Sequence, residues 1–489
     1  MQNLPLQLYR AADVRALDHL AITQYGIPGF ELMTRAGTAV FTSIRRNYPR
    51  ARTLAVFCGG GNNAGDGYVV AALARSAGYR VKLYALTDPA QLSGDAATAY
   101  RQFTDQGGVT LRFSDGEVLA GVDLIVDALL GTGLDRPVSG VFAGAIAAIN
   151  QSGLPVIAVD IPSGLHADTG AVMETAVKAD RTLSFIGLKQ GLFTGEAADY
   201  CGVIEFAGLE VPEAVYASVP ISARLTRKSP WPPRKRCSHK GHYGHVLVIG
   251  GNLGYSGAAR LAAQAALRTG AGLVSLATRS AHAQVLNMAQ PELMCAGVET
   301  VEQLAPLLEK ASVLAIGPGL AQDDWAKTML DAALTWQMPM VMDADALNLL
   351  AQSPARKDNW VLTPHPGEAA RLLAMSSAQV QQDRFAAATA LQAQYGGVAV
   401  LKGAGTLIKS TGCLAVSCTG NPGMASGGMG DDLTGVIAGL IAQGLDLATA
   451  AEQGVYVHGL AADSAAKHGG ERGLAAGDLL PWLRHWVNQ

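Results

Sequence analysis

The sequence predicts an α/β protein made of two consecutive domains, each an open and mostly parallel sheet covered by helices. Short apolar runs of strand length alternate with segments of helical period along the chain, and most of those runs stop at a glycine, an asparagine or an aspartate. At 489 residues the chain is also too long for one core, since domains run to roughly 100 to 200 residues each. A change of texture supplies the boundary. From about Glu210 to Ser238, VPEAVYASVPISARLTRKSPWPPRKRCS is rich in proline and basic residues without helical or strand period, so the expected domains are 1–222 and 223–489.

Composition narrows the function classes. Apolar residues make up 49%, charged residues 16%, and there are 57 glycines, which excludes a disordered chain or a coiled coil. A formal net charge of -3 gives no electrostatic case for nucleic acid or for an anionic membrane. Arg234, Lys235 and Arg236 read as a solvated linker rather than a phosphate site. The start, MQNLPLQLYRAADVRALDHLA, is amphipathic and charged early, unlike a signal peptide, and no run approaches the roughly 18 apolar residues of a membrane span. A cytoplasmic protein acting on small molecules is the expectation. The six cysteines lack a CxxC pair, which argues against zinc and against a disulfide framework and leaves buried reduced thiols.

In chain order, helical-period positions (Val14, Leu17, Leu20, Ala21, then Phe30 to Ile44) precede a strand at Leu54 to Cys58. GGGNNAGDGYVVAALARSAG follows, a glycine loop holding Asn62, Asn63 and Asp66, with Gly67 opening a helix. Strand, glycine loop and helix form a phosphate-binding arrangement, although such turns also serve close helix packing. Leu124 to Asp127 runs into ALLGTGLDRP, and Val156 to Asp160 into IPSG. Ligands of open parallel sheets bind at the carboxyl ends of the strands, so Asn63, Asp127, Asp160 and Ser163 are expected to converge. Their oxygens suit a hard cation such as potassium, sodium or magnesium; the alternative is that the aspartates cap the turns that follow. Lys189, in FIGLKQG, is a candidate acid/base or substrate partner, or else a solvated surface lysine.

The second half repeats the pattern. Strand Val246 to Ile249 precedes a glycine turn and a helix beginning near Ser256, and a further strand starts at Leu273. Val313 to Ile316 ends in Gly317 to Gly319, Met340 to Met342 in DADALNLL, Trp360 to Thr363 in PHPGEA, and Val398 to Leu401 in KGAGT. One rim therefore collects Asp343, Asp345, His365, Glu368, Lys402 and finally Asp431, from NPGMASGGMGDDLTG at Asn421 to Gly435. The five glycines of that stretch let amides approach an anion, and the helix after them adds its N-terminal partial charge. A carboxylate there suffers like-charge repulsion unless it takes a proton or meets a metal. Each residue alone has a structural alternative: a rigid Pro-His-Pro turn, a helix-dipole glutamate, a solvated lysine, helix-capping aspartates. Together they describe a nucleotide and phosphoryl-transfer rim.

These motifs carry a resemblance. GNNAGDGYVVA, VDALLGTG and VDIPSG resemble the NAD(P)H-hydrate epimerases, which implies a Rossmann-like three-layer first domain. HKGHYGHVLVIGG, YSGAA, GPG, DADALNLL, TPHPGEAARL, KGAGT and NPGMASGGMGD resemble the ADP-dependent NAD(P)H-hydrate dehydratases, which implies a ribokinase-like second domain. In the first domain the resemblance implies hydrate contacts at Asn62, Asn63, Ala64, Gly65, Asp66, at Gly131, Thr132, Gly133, Leu134, Asp135, Arg136, Pro137 and at Asp160, with K+ at Asn63, Asp127 and Ser163. In the second it implies hydrate contacts at Ala258, Gly319, His365 and Asp431, and nucleotide contacts at Lys402, Gly403, Ala404, Gly405, Thr406 and Gly430. Asp431 is then the general base that lets the hydrate hydroxyl attack ADP with Mg2+, and Asp160 with Lys189 serves epimerisation. The implied substrates are the hydrates NADHX and NADPHX, and the implied assembly is a homo-oligomer, tetramer or larger. Two positions depart from the pattern: Ala64 replaces a frequent glycine, and Asp432 stands where an apolar residue is common. An ordinary ribokinase-like kinase with a regulatory first domain and a non-catalytic nucleotide-binding protein are the competing readings.

Overall fold

The computed structural model describes residues 4–114, 119–288 and 290–489. The chain divides into two compact units, Met1–Arg224 and Leu225–Gln489.

The first unit is built on seven parallel strands: β1 (Thr53–Cys58), β2 (Arg80–Ala85), β3 (Thr110–Arg112), β4 (Leu124–Ala128), β5 (Val156–Val159), β6 (Arg181–Phe185) and β7 (Val203–Ala207), ordered β3-β2-β1-β4-β5-β6-β7. The strand order reverses between β1 and β4, which opens a crevice at their carboxyl ends. Alternation along each strand divides the core. Leu54, Val56 and Cys58 face helices α1 (Ala11–Thr23), α2 (Gly29–Asn47), α3 (Asn62–Ser76) and α4 (Gly94–Asp105), whereas Ala55 and Phe57 face α5 (Gly140–Gln151). Covered on both faces, β1, β4 and β5 are buried at every residue, which is why they read as unbroken apolar runs.

One boundary differs from the sequence expectation. Gly61, in extended conformation, is the N-cap, so α3 begins at Asn62 and the expected glycine loop is its first turns. Gly67 does not open the helix but seats it: a Cβ there would lie 2.7 Å from the Ala128 Cβ and 2.8 Å from the Cys58 sulfur.

From His245 the second unit orders nine strands, β8 (His245–Ile249), β9 (Leu273–Thr278), β10 (Met294–Gly297), β11 (Val313–Ile316), β12 (Met340–Met342), β13 (Trp360–Leu362), β14 (Val398–Leu401), β15 (Thr406–Lys409) and β16 (Leu414–Ser417), as β10-β9-β8-β11-β12-β13-β14-β15-β16. Pairing is parallel from β10 to β14 and antiparallel across the last two ladders. Helices α6 (Ser256–Thr269), α7 (Ala344–Gln352), α8 (Pro366–Leu372), α9 (Arg384–Tyr395), α10 (Met429–Ala442) and α11 (Leu447–Gly469) complete the α/β layering relevant to the site. Helices α6, α10 and α11 share one core with the valines of the sheet. Here α10 crosses α6 so closely that a Cβ at Gly435 would lie 1.9 Å from the Ala262 carbonyl oxygen, a contact that only glycine permits.

The six cysteines are free, but only Cys58 and Cys201 are buried and Cys237 is exposed, which corrects the expectation of uniformly buried thiols. In the basic stretch after the boundary, Arg234 is held rather than simply solvated. Its guanidinium lies 3.8 Å from the Tyr243 ring centroid and donates to Gln443 Oε1 at 3.0 Å.

Candidate active sites

In the first unit the carboxyl ends of β1, β4 and β5 bring the oxygen-bearing residues together. Asp127 is fully buried. Ser163 donates to it twice, from Oγ to Oδ1 at 2.6 Å and from its amide to Oδ2 at 2.8 Å, and the Leu129 amide adds a third bond at 3.3 Å. Burial pushes Asp127 up to about 6 against the pull of those bonds. Asn63 donates to the Leu130 carbonyl at 3.3 Å while its own Oδ1 is buried without a hydrogen bond. Gly131 lies against Asn63, a Cβ at Gly131 falling 3.2 Å from that of Asn63. The following turn is tied by Arg15 to the Thr132 carbonyl at 3.5 Å and by Leu134 to the Gly131 carbonyl at 3.3 Å, which leaves Gly133, Asp135, Arg136 and Pro137 exposed. Ala64 is fully buried within α3 and Gly65 packs on Met33, so these two can offer a ligand backbone alone.

Asp160 follows β5 with φ 68, a left-handed conformation that costs a non-glycine residue of order 1 kcal/mol or more. It accepts the Phe185 amide at 3.1 Å and pairs with the Lys189 ammonium, which also donates to Ser184 Oγ at 3.1 Å and the Phe185 carbonyl at 3.2 Å. Lys189 is fully buried, so the solvated-lysine alternative is removed. A short strand, Leu188–Lys189, paired in parallel with Gln7–Tyr9, carries it inward. Asp66 is held well above the ordinary carboxylate range by burial, with Asp160 and Asp18 adding to the rise. Burial also raises Asp18, with Asp95 next. Asp18 and Asp95 come from α1 and α4, and no local motif marks them.

In the second unit the rim forms at the ends of β11 to β14 and the start of α10. Lys402 is the hub: its ammonium lies 2.6 Å from Asp343 Oδ1 and 3.8 Å from Glu368 Oε2. Burial works against the Lys402 charge, yet Asp343 and Glu368 outweigh it and its pKa is raised. Thr434, on α10, donates to the other Asp343 oxygen at 3.0 Å. Asp343 is thus an ion-pair partner rather than a side-chain cap for α7, and Asp345 instead accepts the Ala321 amide at 2.9 Å. His365 and Glu368 cap α8 reciprocally, with the His365 amide on Glu368 Oε2 at 2.8 Å and the Gly367 amide on His365 Nδ1 at 3.0 Å. Burial lowers the His365 pKa, Lys402 next, so the ring is neutral at pH 7. Gly319, at φ 59, packs on Tyr255 and Ala258, and the buried Asn252 holds its carbonyl at 2.7 Å.

Helix α10 begins at Met429 behind the left-handed Gly428, so Asp431 sits in its first turn rather than ahead of it. Gly430 lies over the Lys402–Asp343 pair, where a Cβ would stand 3.1 Å from the ammonium and 3.3 Å from the carboxylate. Burial, then Asp343, pushes Asp431 up to about 7 against the pull of Lys402. The next residue, Asp432, is fully buried, neither of its oxygens has a hydrogen bond, and burial followed by Asp431 pushes it up to about 8. The loop Lys402, Gly403, Ala404, Gly405, Thr406 closes with Thr406 Oγ1 donating to the Gly403 carbonyl at 2.9 Å.

The sequence models of two families match, "YjeF-related protein N-terminus" over residues 29–191 and "NAD(P)H-hydrate dehydratase" over residues 246–483. A bifunctional NAD(P)H-hydrate repair enzyme Nnr from Coxiella burnetii is 49% identical, the match covering 98% of this chain and 99% of that protein. The chain belongs to the bifunctional NAD(P)H-hydrate repair enzyme family. A family member from Escherichia coli is 44% identical over 99% of this chain and 95% of its own length. Among solved structures, an ADP/ATP-dependent NAD(P)H-hydrate dehydratase from Bacillus subtilis, co-crystallised with ATP/Mg2+, is 34% identical and covers 53% of this chain and 94% of its own, with TM-score 0.49. Within the family frame, the first unit is the epimerase unit and the second the dehydratase unit.

Proposed function

We propose that the protein repairs hydrated NADH and NADPH in two steps, the first unit interconverting the R and S hydrates and the second dehydrating the S hydrate with ADP, releasing NAD(P)H, AMP and phosphate. The observation that carries this is Asp431: a carboxylate in the first turn of α10, pushed up to about 7, to which no group among the described residues donates a hydrogen bond. Such a group takes a proton near neutral pH. It removes the proton of the hydrate hydroxyl as that oxygen attacks the β-phosphorus of ADP and the bond to AMP breaks. The ring nitrogen lone pair then expels phosphate, and loss of the C5 proton restores the dihydronicotinamide. Ala258, Gly319 and His365 line the hydrate side of the rim, and the loop Lys402 to Thr406 together with Gly430 receives the nucleotide. In the epimerase unit the Asp160–Lys189 pair handles the proton at the C6 hydroxyl, with Asn62 to Asp66 and Gly131 to Pro137 around the ring.

Two ions belong to this reading. For K+, the unbonded and buried Asn63 Oδ1 beside Asp127 and Ser163 is a fitting donor set of hard oxygens. The ion would neutralise Asp127 and fix the Gly131 loop. For Mg2+ the rim builds no protein cage: among the described residues no group of three His, Cys, Asp or Glu side chains is placed to hold a metal ion, and Asp343 and Glu368 already engage Lys402 and His365. Three carboxylates against one ammonium favour its arrival as Mg·ADP, held by phosphate oxygens and water. Among the described residues no helix is long and apolar enough to cross a membrane, and the reading places a homo-oligomer, tetramer or larger, in the cytoplasm.

The test adds full-length protein to mixed NADPH-hydrate epimers with ADP and Mg2+ and follows reduced-nicotinamide absorbance together with AMP and phosphate. Full recovery of both epimers with equal AMP and phosphate is expected. A stable phosphorylated product without recovered NADPH would point to a kinase instead.

A further inference from the structure

Arg384 takes no part in the motifs above, yet its guanidinium lies behind the nucleotide loop. It opens α9, and only 1% of its surface is exposed. From there Nη2 donates to the carbonyls of Leu401 and Lys402, each at 3.2 Å, and Nη1 donates to Gln381 Oε1 at 2.7 Å. These carbonyls are the last of β14 and the first of the loop. The next residue, Gly403, has φ 138, and a Cβ there would stand 3.0 Å from both terminal guanidinium nitrogens, so the chain passes close against the guanidinium only because this residue has no side chain.

The consequence is a constraint on Lys402 from three sides. Its carbonyl is held by Arg384, its amide donates to the Pro364 carbonyl at 2.9 Å, and its ammonium binds Asp343. With two successive carbonyls turned inward onto one planar fork, the loop must leave the sheet through Gly403, which turns Ala404 outward and Gly405 into its left-handed φ of 62. Lysine could not reproduce this, because its ammonium is a point charge on a flexible stem and cannot span two carbonyls and a glutamine while leaving room for Gly403. Burial lowers Arg384 to about 10, so it stays charged at pH 7 and keeps its donors.

We propose that Arg384, supported by Gln381, is the positioning residue of the ADP loop, setting the backbone of Lys402 to Thr406 for the nucleotide without touching it. The inference rests on the reading that this loop contacts ADP. Because Arg384 acts on the loop and not on the hydrate side of the rim, its loss is felt in nucleotide affinity before turnover.

The experiment measures steady-state dehydration and calorimetric ADP binding for full-length Arg384→Lys, Gln381→Ala and Gly405→Asp, with epimerase activity as the control for active protein. Arg384→Lys is expected to raise the KM and Kd for ADP about tenfold, with kcat and the KM for hydrate within about threefold. Gln381→Ala, an exposed and milder change, is expected to raise them about two- to fivefold. Gly405→Asp should abolish ADP binding; if it leaves ADP binding intact, the loop is not the nucleotide site and the inference falls with that reading. If Gly405→Asp weakens ADP while Arg384→Lys and Gln381→Ala leave KM and Kd unchanged, the positioning role alone is overturned. A fall in kcat with unchanged ADP affinity in Arg384→Lys overturns it equally.

Discussion

Replacing Asp432 by valine should stabilise the dehydratase unit, and by an amount that grows with pH. The carboxyl is fully buried, both oxygens lack hydrogen bonds, and valine has nearly its shape. An unsatisfied buried polar group costs about 1–3 kcal/mol, so the variant should gain about that much even where the acid is neutral. The pH term adds to it. The folded pKa of about 8 lies above the unfolded carboxylate value, so between roughly pH 4 and pH 8 the native state holds a proton that the unfolded chain has released. Its contribution is complete below about pH 4 and is lost as pH rises through about 8, at about 1.4 kcal/mol per pH unit. From pH 5 to pH 7 the wild type should therefore lose about 3 kcal/mol that the variant keeps. For a domain of this size each kcal/mol moves Tm by about 2–4 °C, so calorimetric Tm curves of the two full-length proteins should diverge by about 6–12 °C over that range. Parallel curves, or a variant less stable than the wild type at pH 7, would refute the reasoning that Asp432 is an unpartnered buried acid.

Asp431→Asn should lower dehydratase kcat by about 10²–10⁴-fold while epimerisation in the same preparation continues, which chiral separation of the hydrates can follow. In the wild type, dehydration should rise with pH through about 7, since the base must be ionised to act, and a flat profile from pH 5.5 to 8.5 would remove Asp431 from that role. Lys189→Met should destabilise the epimerase unit by about 3–5 kcal/mol, because it strands the largely buried Asp160, and Asp160→Asn in the same chain should recover much of the loss in a thermal melt. Asp127→Asn, or replacement of K+ by tetramethylammonium, should abolish cation-dependent epimerisation and leave ADP-driven dehydration of the S hydrate unchanged, as read from the two rates separately.

What could be read in the sequence is what local chemistry writes there. Buried parallel strands such as Leu54 to Cys58 and Val398 to Leu401 appear as apolar runs because helices cover both faces, and their glycine- and aspartate-bearing ends mark the ligand edge. The convergence of Asn63, Asp127 and Ser163 follows from that edge. Helix starts were less legible: Gly61 and Gly428 act as caps, so Asn62 and Asp431 fall inside helices where the density of glycine suggested loops.

The remainder depends on partners far apart in the chain. Lys189 reads as either an acid/base partner or a solvated surface lysine, and what decides is a two-residue strand beside Gln7–Tyr9 that carries it into the core beside Asp160. Asp18 and Asp95 reach the epimerase crevice from helices whose own periodicity explains their faces without them. Thr434 and Arg384 serve the dehydratase rim from behind, one holding Asp343 and the other the carbonyls of Leu401 and Lys402. A motif records the atoms that meet a ligand because backbone conformation restricts residue choice there. The groups that orient those atoms need only a donor in the right place, which any approaching element can supply, and so they leave no local pattern. By that logic Asp432 is the opposite case: it sits inside the motif, meets no hydrogen-bond partner, and its protonation is governed by the surrounding core and by Asp431 rather than by any contact of its own.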